Sequence, residues 1–466
     1  MPTVTRHQDG RSGNIFSGIV SQSSATNAWY VGRYFGNNNK NNGNNYAPFS
    51  AYAINAKSMT MKEYVKIEDV NDAYMDCRRT KRRTATQIDY ELDYELNNLK
   101  LYRELNNMTY EIGQSIAFCV TYPKLREVYA ASFRDRIVHH LIMRKFLDIF
   151  EDRMIESSYN CRKEKGTIFG VRDIQERLRR ITRNGKRNAW VLKLDIRGFF
   201  MSIDKNRMYD IVSDIISEEY EGDDIDWWLW LIKKIILHHP ECNCVWKSGE
   251  ELRSRLPADK SLSTSGGRGV PIGNYTSQIF ANLYMTVFDK WLVNRLSQEE
   301  EYGRYVDDFV IISQSKARLL SLLTDCKIFL SERLGLTLHD DKIVLTKASQ
   351  GVKFTGYVIR QDRIYVGKHT VKRMEDMINE WNDDNNPDVS RYIMRYNSYM
   401  GFLLVGYSYN IRKRMWENIK HKENLININN RKIRRQNNEK IYQRTNQARK
   451  LQSYSDASRW HLSCHD

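Results

Sequence analysis

The sequence lacks an apolar segment at its start, opening on Met1-Pro2-Thr3, and nowhere approaches the roughly 18 apolar residues of a membrane span. Cysteine is sparse and odd in number, seven residues scattered through 466, which sets up no disulfide framework. Both absences point to a reducing cytoplasm and away from a membrane. One cluster, His238, His239, Cys242 and Cys244, has the ligand types of a zinc site, but it lacks a second Cys-x-x-Cys and its spacing matches no common site. A loop packing its own thiols is the expectation there, with zinc as the alternative. Acidic residues are outnumbered, 57 against 73 Lys and Arg, which leaves a net charge of +16. Such an excess suits a polyanionic partner, most simply nucleic acid. Ten Trp and 28 Tyr interleaved with those cations favour the same reading, because aromatic faces stack on bases.

Residues 1 to about 57 are poor in Lys and Glu and hold seven Asn among the nine residues from Asn37 to Asn45. So little apolar surface does not offset the entropy of ordering, and a disordered leader is expected. From Glu68 to Glu127 the pattern is helical, with a basic cluster at Arg78, Arg79, Lys81, Arg82 and Arg83 and an amphipathic run from Thr86 to Asn107. The cluster is expected to face nucleic acid rather than solvent alone. At the other end, Lys420 to Lys450 carries ten Lys or Arg with few apolar residues, the composition of a partly disordered nucleic-acid-binding arm.

The chain is organised around Gly303-Arg304-Tyr305-Val306-Asp307-Asp308-Phe309-Val310-Ile311-Ile312. Two runs rich in aromatic and β-branched residues flank a paired carboxylate, the pattern of a β-hairpin with Asp307 and Asp308 at its turn. Adjacent carboxylates raise each other's pKa, so a chain that keeps both ionised usually supplies a divalent cation. About a hundred residues upstream, the apolar run Val191 to Leu194 ends in Asp195, as a buried strand delivering a carboxylate to its C-terminal end. A strand-end carboxylate and a hairpin-turn carboxylate are the minimum for holding two Mg²⁺ ions about 3.5–4 Å apart for in-line phosphoryl transfer.

With Asp195 followed by Tyr305-Val306-Asp307-Asp308, the chain resembles a reverse transcriptase over roughly residues 70–420. The resemblance implies an α+β right-hand polymerase, with helical fingers and thumb and an antiparallel palm sheet carrying the YVDD hairpin. The expected divisions are N-terminal helices and fingers at 58–185, palm at 186–365 with an insertion at 220–268, thumb at 366–420 and the basic tail at 421–466. Two fingers motifs would supply cations to the incoming triphosphate: Pro123-Lys124-Leu125-Arg126-Glu127, and the box from Tyr159 to Thr167. By that resemblance Arg126 and Arg162 lead, with Lys124, Lys163 and Lys165 in support. Gly269-Val270-Pro271-Ile272-Gly273-Asn274-Tyr275-Thr276-Ser277-Gln278 matches the glycine motif that approaches the nascent base pair, which places Ile272, Gly273 and Gln278 at the nucleotide. Tyr305 and the short hairpin at Phe354, Gly356 and Tyr357 would grip primer and template.

The resemblance also implies the chemistry. Asp195 and Asp307 would bridge two Mg²⁺ ions, with Mn²⁺ able to substitute. Asp308 would be a secondary ligand or charge balance, and Ile196 would lend its backbone carbonyl. Phe200, five residues after Asp195, sits where the family places the aromatic ring that excludes a ribose 2′-hydroxyl, so deoxynucleotides are the expected substrate. Lys342 is either the general acid that protonates pyrophosphate or a surface residue.

Most reverse transcriptases carry Gln where this chain has Ile272 and Ser-Pro where it has Ser277-Gln278. With the Tyr159 to Thr167 box and the PKLREVYAASFRDRIVHH stretch, this double departure resembles the enzymes of diversity-generating retroelements. Those bacterial or phage-encoded polymerases copy a template-repeat RNA with errors at template adenines. They work on a primer-template duplex alongside a small basic accessory protein and lack the maturation and endonuclease domains of group II intron enzymes. Nothing after residue 420 resembles such a domain. The Asn-rich leader would then be template-repeat sequence read as protein. A defence-associated or retron enzyme, and a non-catalytic RNA-binding protein on the same scaffold, are the alternatives, the last disfavoured by the three intact carboxylates.

Overall fold

The computed structural model describes residues 62–425 apart from 81–83, 122–123, 421 and 424, so the leader and the basic tail lie outside the described residues. Three helices come first, α1 (Ile67–Thr80), α2 (Ala85–Glu91) and α3 (Tyr94–Asn106), the amphipathic run being broken at Leu92 and Asp93. Strands β1 (Ser115–Val120) and β2 (Arg126–Ala130) form a hairpin before α4 (Phe133–Arg153) and α5 (Thr167–Thr182). Thus Arg126 and Glu127 of the first fingers motif lie on a strand. Next come β3 (Trp190–Asp195), the one-turn α6 (Phe199–Ser202), α7 (Lys205–Glu219), α8 (Ile225–Leu237), β4 (Cys244–Trp246), α9 (Glu250–Ser254) and α10 (Tyr275–Val293). Strands β5 (Glu300–Tyr305) and β6 (Asp308–Ser313) precede α11 (Lys316–Leu334), β7 (Val344–Lys347), β8 (Val352–Phe354), β9 (Tyr357–Ile359) and β10 (Ile364–Val366). The last helices are α12 (Lys368–Asp383), α13 (Val389–Leu403) and α14 (Tyr409–Asn418). No helix among the described residues is long and apolar enough to cross a membrane.

The central sheet is antiparallel, in the order β5-β6-β3-β7. Side chains alternate across it as the two-residue period of a strand requires. Leu192, Leu194, Phe309 and Ile311 face one core with α4, α10 and α11, while Val191, Val310 and Ile312 face a second core with α5 and the C-terminal helices. Because side chains alternate, the second face continues at its open end into Lys193, Asp195 and Asp308, so the charged residues are the continuation of a buried stripe. The register sets Asp195 directly opposite Asp308. Gly303 in β5 is required by packing, since a Cβ there would lie 2.5 Å from both Ile174 Cδ1 and the Tyr159 hydroxyl.

Two smaller sheets flank this one. β2-β1-β4 includes a parallel pairing of β1 with β4, a strand hidden in the polar 238–268 stretch, and β10-β9-β8 extends the expected hairpin by one strand. Helix ends are capped locally. Ser132 accepts from the Asp135 amide at 3.1 Å, and Ser315 accepts from the Arg318 amide at 3.2 Å.

Candidate active site

The β5–β6 connection is a two-residue turn in which Tyr305 pairs with Asp308 and Val306 and Asp307 occupy the apex. Val306 has φ +60, a conformation costly for a β-branched side chain. A buried network holds it there. Arg304, fully buried, binds Asp289 of α10 through Nη2 at 2.6 Å and Nε at 2.8 Å, and its Nη1 donates to the Val306 carbonyl at 2.9 Å and to Asn282 at 3.2 Å. Tyr302 donates its hydroxyl to the same Asp289 at 2.6 Å. Neither Arg304 nor Asp289 was singled out by sequence reasoning. The available signals were an arginine inside an otherwise aromatic strand and an acid inside a largely apolar helix.

Asp307 is brought to Asp195 by the backbone: the Ile196 amide donates to the Asp307 carbonyl at 3.2 Å. In an extended strand a residue's N–H and C=O point the same way, so the Ile196 carbonyl faces the turn as well. Burial, and then the nearby Asp195 carboxylate, push the Asp307 pKa up, opposed by its own amide, Lys342 and Arg126. Lys342 is therefore at the site: its Nζ lies 2.5 Å from Asp195 Oδ1. Arg126, exposed at the start of β2, reaches the Asp307 carboxylate electrostatically, and Lys124 is exposed two residues before it.

Asp308, expected as a secondary ligand or as charge balance, faces a cation. Its Oδ2 pairs with Lys193 Nζ at 2.9 Å, because Lys193 sits two residues before Asp195 on the same face of β3 and diagonally across from Asp308. Burial pushes the Asp308 carboxyl up to about 6 in spite of Lys193, and its Oδ1 is buried with no hydrogen-bond partner. Among the described residues no group of three His, Cys, Asp or Glu converges on one point. The carboxylates of Asp195 and Asp307 face one cation, Lys342, so the pair keeps net negative charge and fits divalent metal ions, while Asp308 is offset by Lys193.

Phe200 and Ile272 meet around a small cluster of Ala117, Tyr129, Met201 and Leu262, and the Ile272 carbonyl is fixed by the Tyr129 amide at 3.1 Å. Gly273 has φ +120, and a Cβ there would lie 2.9 Å from Val128 Cγ1 and 3.2 Å from the Tyr129 carbonyl, so the motif can approach β2 only as glycine. Gln278 accepts from the Cys161 thiol at 2.8 Å, and Tyr305 from the Thr167 hydroxyl at 3.2 Å.

Other expected site residues are placed elsewhere. Arg162 is buried against the end of α4, where it pairs with Glu151 at 2.9 Å and donates to the carbonyls of Ile155, at 2.5 Å, and Ser158, at 3.2 Å. A guanidinium held by Glu151 and by the carbonyls that follow a helix C-terminus is not available to a triphosphate. Lys165 is similarly spent on Glu156, at 2.8 Å, whereas Lys163 is exposed and only its amide is held, by Glu151 at 3.1 Å. The rings of Phe354 and Tyr357 point inward, Phe354 edge-on to Tyr159 and Tyr357 stacked on Phe402 with centroids 4.7 Å apart. They support the hairpin from below, while Lys353 and, in the turn, Gly356 at φ +89 are exposed. In the Cys and His cluster, His239 Nδ1 lies 2.8 Å from Glu241 and 3.2 Å from Lys205 Nζ, and Cys242 and Cys244 are free thiols.

Protein YkfC of Escherichia coli (strain K12) is 24% identical over 280 residues, covering 53% of this chain and 66% of that protein, so the chain spans just under two thirds of that relative's length. Among solved structures, apo telomerase from Candida Tropicalis superposes with a TM-score of 0.44 at 10% identity, over 66% of this chain and 60% of that one. Telomerase from Candida albicans with a TWJ fragment of telomeric RNA gives 0.40 at 12% identity, over 72% and 60%. The family model described as reverse transcriptase (RNA-dependent DNA polymerase) matches residues 122–359, about half of the chain and all three carboxylates of the site, and the protein belongs to that family of enzymes.

Proposed function

We propose that this RNA-directed DNA polymerase is the reverse transcriptase of a diversity-generating retroelement, copying a template-repeat RNA into cDNA with errors concentrated at template adenines. The observation that carries the reading is Ile272, an apolar side chain packed against the same cluster as Phe200 where most reverse transcriptases place Gln, in a motif that departs again at Ser277-Gln278. A small basic accessory protein and a cytoplasmic setting belong to the same reading. So do the divisions into fingers at 58–185, palm at 186–365 and thumb at 366–420.

Within the site, Asp195 and Asp307 carry the charge that holds divalent ions, and Asp308 with Lys193 balances charge behind them. When bound, two Mg²⁺ ions activate the primer 3′-hydroxyl and neutralise the triphosphate. Arg126, with Lys124 beside it, draws the triphosphate toward these carboxylates. Lys342 keeps a proton within reach of the departing pyrophosphate. Phe200 closes the space a 2′-hydroxyl would need.

Ile272 bears on fidelity because a branched apolar side chain makes none of the polar contacts that Gln offers near the templating base, so pairing geometry is held less firmly. Ile272→Gln is expected to lower misincorporation opposite adenine about tenfold, more than opposite any other base. Sequencing cDNA made by the two enzymes on one RNA template checks this, and an unchanged error spectrum would contradict it.

A further inference from the structure

Glu127 follows the exposed Arg126 on β2 and, by the alternation of a strand, points to the opposite face, where it is 1% exposed. A buried carboxylate is costly unless hydrogen bonds satisfy it, so the groups that satisfy it are held in place with it. Its Oε2 accepts from the Ser261 hydroxyl and its Oε1 from the Leu262 amide, both at 2.8 Å, and all three residues are buried. One side chain thereby ties the turn at 258–265, from the polar stretch after α8, to β2 across more than a hundred residues of chain.

That turn is seated on α6, the single helical turn that carries Phe200. Gly198, at φ +53, opens α6, and a Cβ there would lie 2.7 Å from the Asp259 carbonyl oxygen, so the two segments meet backbone to backbone. Leu262 packs in the same cluster as Met201, and a Cβ on Gly269 would lie 2.7 Å from Leu262 Cδ2 and 3.0 Å from Met201 Cα. The Gly269 and Val270 amides then donate to the carbonyls of Ile203, at 2.8 Å, and Phe200, at 2.9 Å. Residues 258–270 therefore clasp α6 at its start and along its length. The strand that ends at Asp195 fixes where α6 begins, and the clasp fixes where the half-buried Phe200 ring stands.

We propose that Glu127 is a positioning residue for sugar selection: by holding Ser261 and Leu262 it seats the 258–265 turn against α6 and so fixes the Phe200 ring. The assignment rests on Phe200 as the residue that excludes a ribose 2′-hydroxyl.

The test measures incorporation efficiencies for matched dNTP and rNTP by the full chain with Mg²⁺ on a primed RNA template. Glu127→Ala leaves the Ser261 hydroxyl and the Leu262 amide without their acceptor. Its rNTP to dNTP ratio is expected to rise about fivefold through a lower KM for the rNTP, with kcat for the dNTP within about twofold of the wild type. Glu127→Gln restores the wild-type ratio, because its amide oxygen still accepts from Leu262 and its amide nitrogen donates to the Ser261 oxygen. With the ring removed in Phe200→Ala, adding Glu127→Ala gives no further rise, as expected of two residues acting through one group. Leu262→Ala removes the contact from its other side and raises the ratio in the same way. Thermal melting identifies the folded variants, and if Glu127→Ala does not fold, Leu262→Ala decides. A ratio that stays at the wild-type value in the folded variants, or that rises as far with Phe200→Ala present as without it, overturns the role of Glu127 alone, provided Phe200→Ala itself moves the ratio. An unchanged ratio in Phe200→Ala overturns the sugar-excluding role of Phe200 as well.

Discussion

Phe200 and Ile272 come from segments 72 positions apart and reach the same few side chains, Ala117, Tyr129, Met201 and Leu262. The ring of Phe200 is only half-buried, so its open face is available to a sugar. Phe200→Ala should therefore raise ribonucleotide use relative to deoxynucleotide use by about tenfold or more, a loss of ~1.4 kcal/mol of discrimination. The measured quantity is the ratio of incorporation efficiencies for matched dNTP and rNTP, and an unchanged ratio would place ribose exclusion on another residue. At this scale the carboxylates were legible because each ends or interrupts an apolar run. Arg162 was misleading because a basic turn is equally suited to a triphosphate and to Glu151 and the carbonyls just past the end of α4, and only the fold decides between them.

The β5–β6 hairpin was legible from its aromatic and β-branched runs, since the pattern that makes a strand is local. What holds its apex was not, because Arg304 and Asp289 are fifteen residues apart on different elements and meet only in the folded core. Arg304→Met alone leaves Asp289 buried without its counter-ion, at a cost of about 3–5 kcal/mol. Arg304→Met with Asp289→Leu should recover much of that stability, while the Val306 carbonyl stays unheld. The expected result is a folded protein with dNTP KM near that of the wild type and kcat roughly a hundredfold lower, as a small displacement of reacting groups produces. Thermal melting and single-nucleotide kinetics check it, and wild-type kcat in the double variant would show the network to be structural only.

Helices α4 and α10 are joined by His139, whose Nδ1 lies 2.6 Å from the Thr276 hydroxyl. Burial, then His140, Arg136 and His238 around it, pushes its pKa down to about 3. Below the ordinary histidine range near 6.5 the unfolded chain binds a proton that the folded one refuses, so stability rises with pH across this window and is lost as pH falls from about 6.5 toward 3. Tm measured from pH 7 to pH 4.5 should fall more steeply for the wild type than for His139→Gln, and parallel curves would contradict the assignment.

On the scale of the whole molecule, the order of elements followed from motif order, whereas β4 did not. It pairs with β1 across more than a hundred residues of chain, from within a polar, turn-rich stretch where a three-residue strand leaves no periodic signal. The two cores of the palm share one sheet, and the stripe of the second core ends in Asp195 and Asp308, so folding the sheet and building the site are the same event. RNA-directed polymerisation by this chain therefore depends on the juxtaposition of Asp195 with the turn residue Asp307. Its most direct test is extension of a DNA primer on an RNA template by the purified full chain with dNTPs and Mg²⁺, alongside Asp307→Asn. An amide cannot supply the ligand charge, so the wild type should synthesise cDNA only with the divalent ion present, and Asp307→Asn should lose at least about a thousandfold in rate while melting at a similar temperature. Substantial synthesis by Asp307→Asn would contradict the assignment of Asp307, and none by the wild type would contradict RNA-directed polymerisation by this chain.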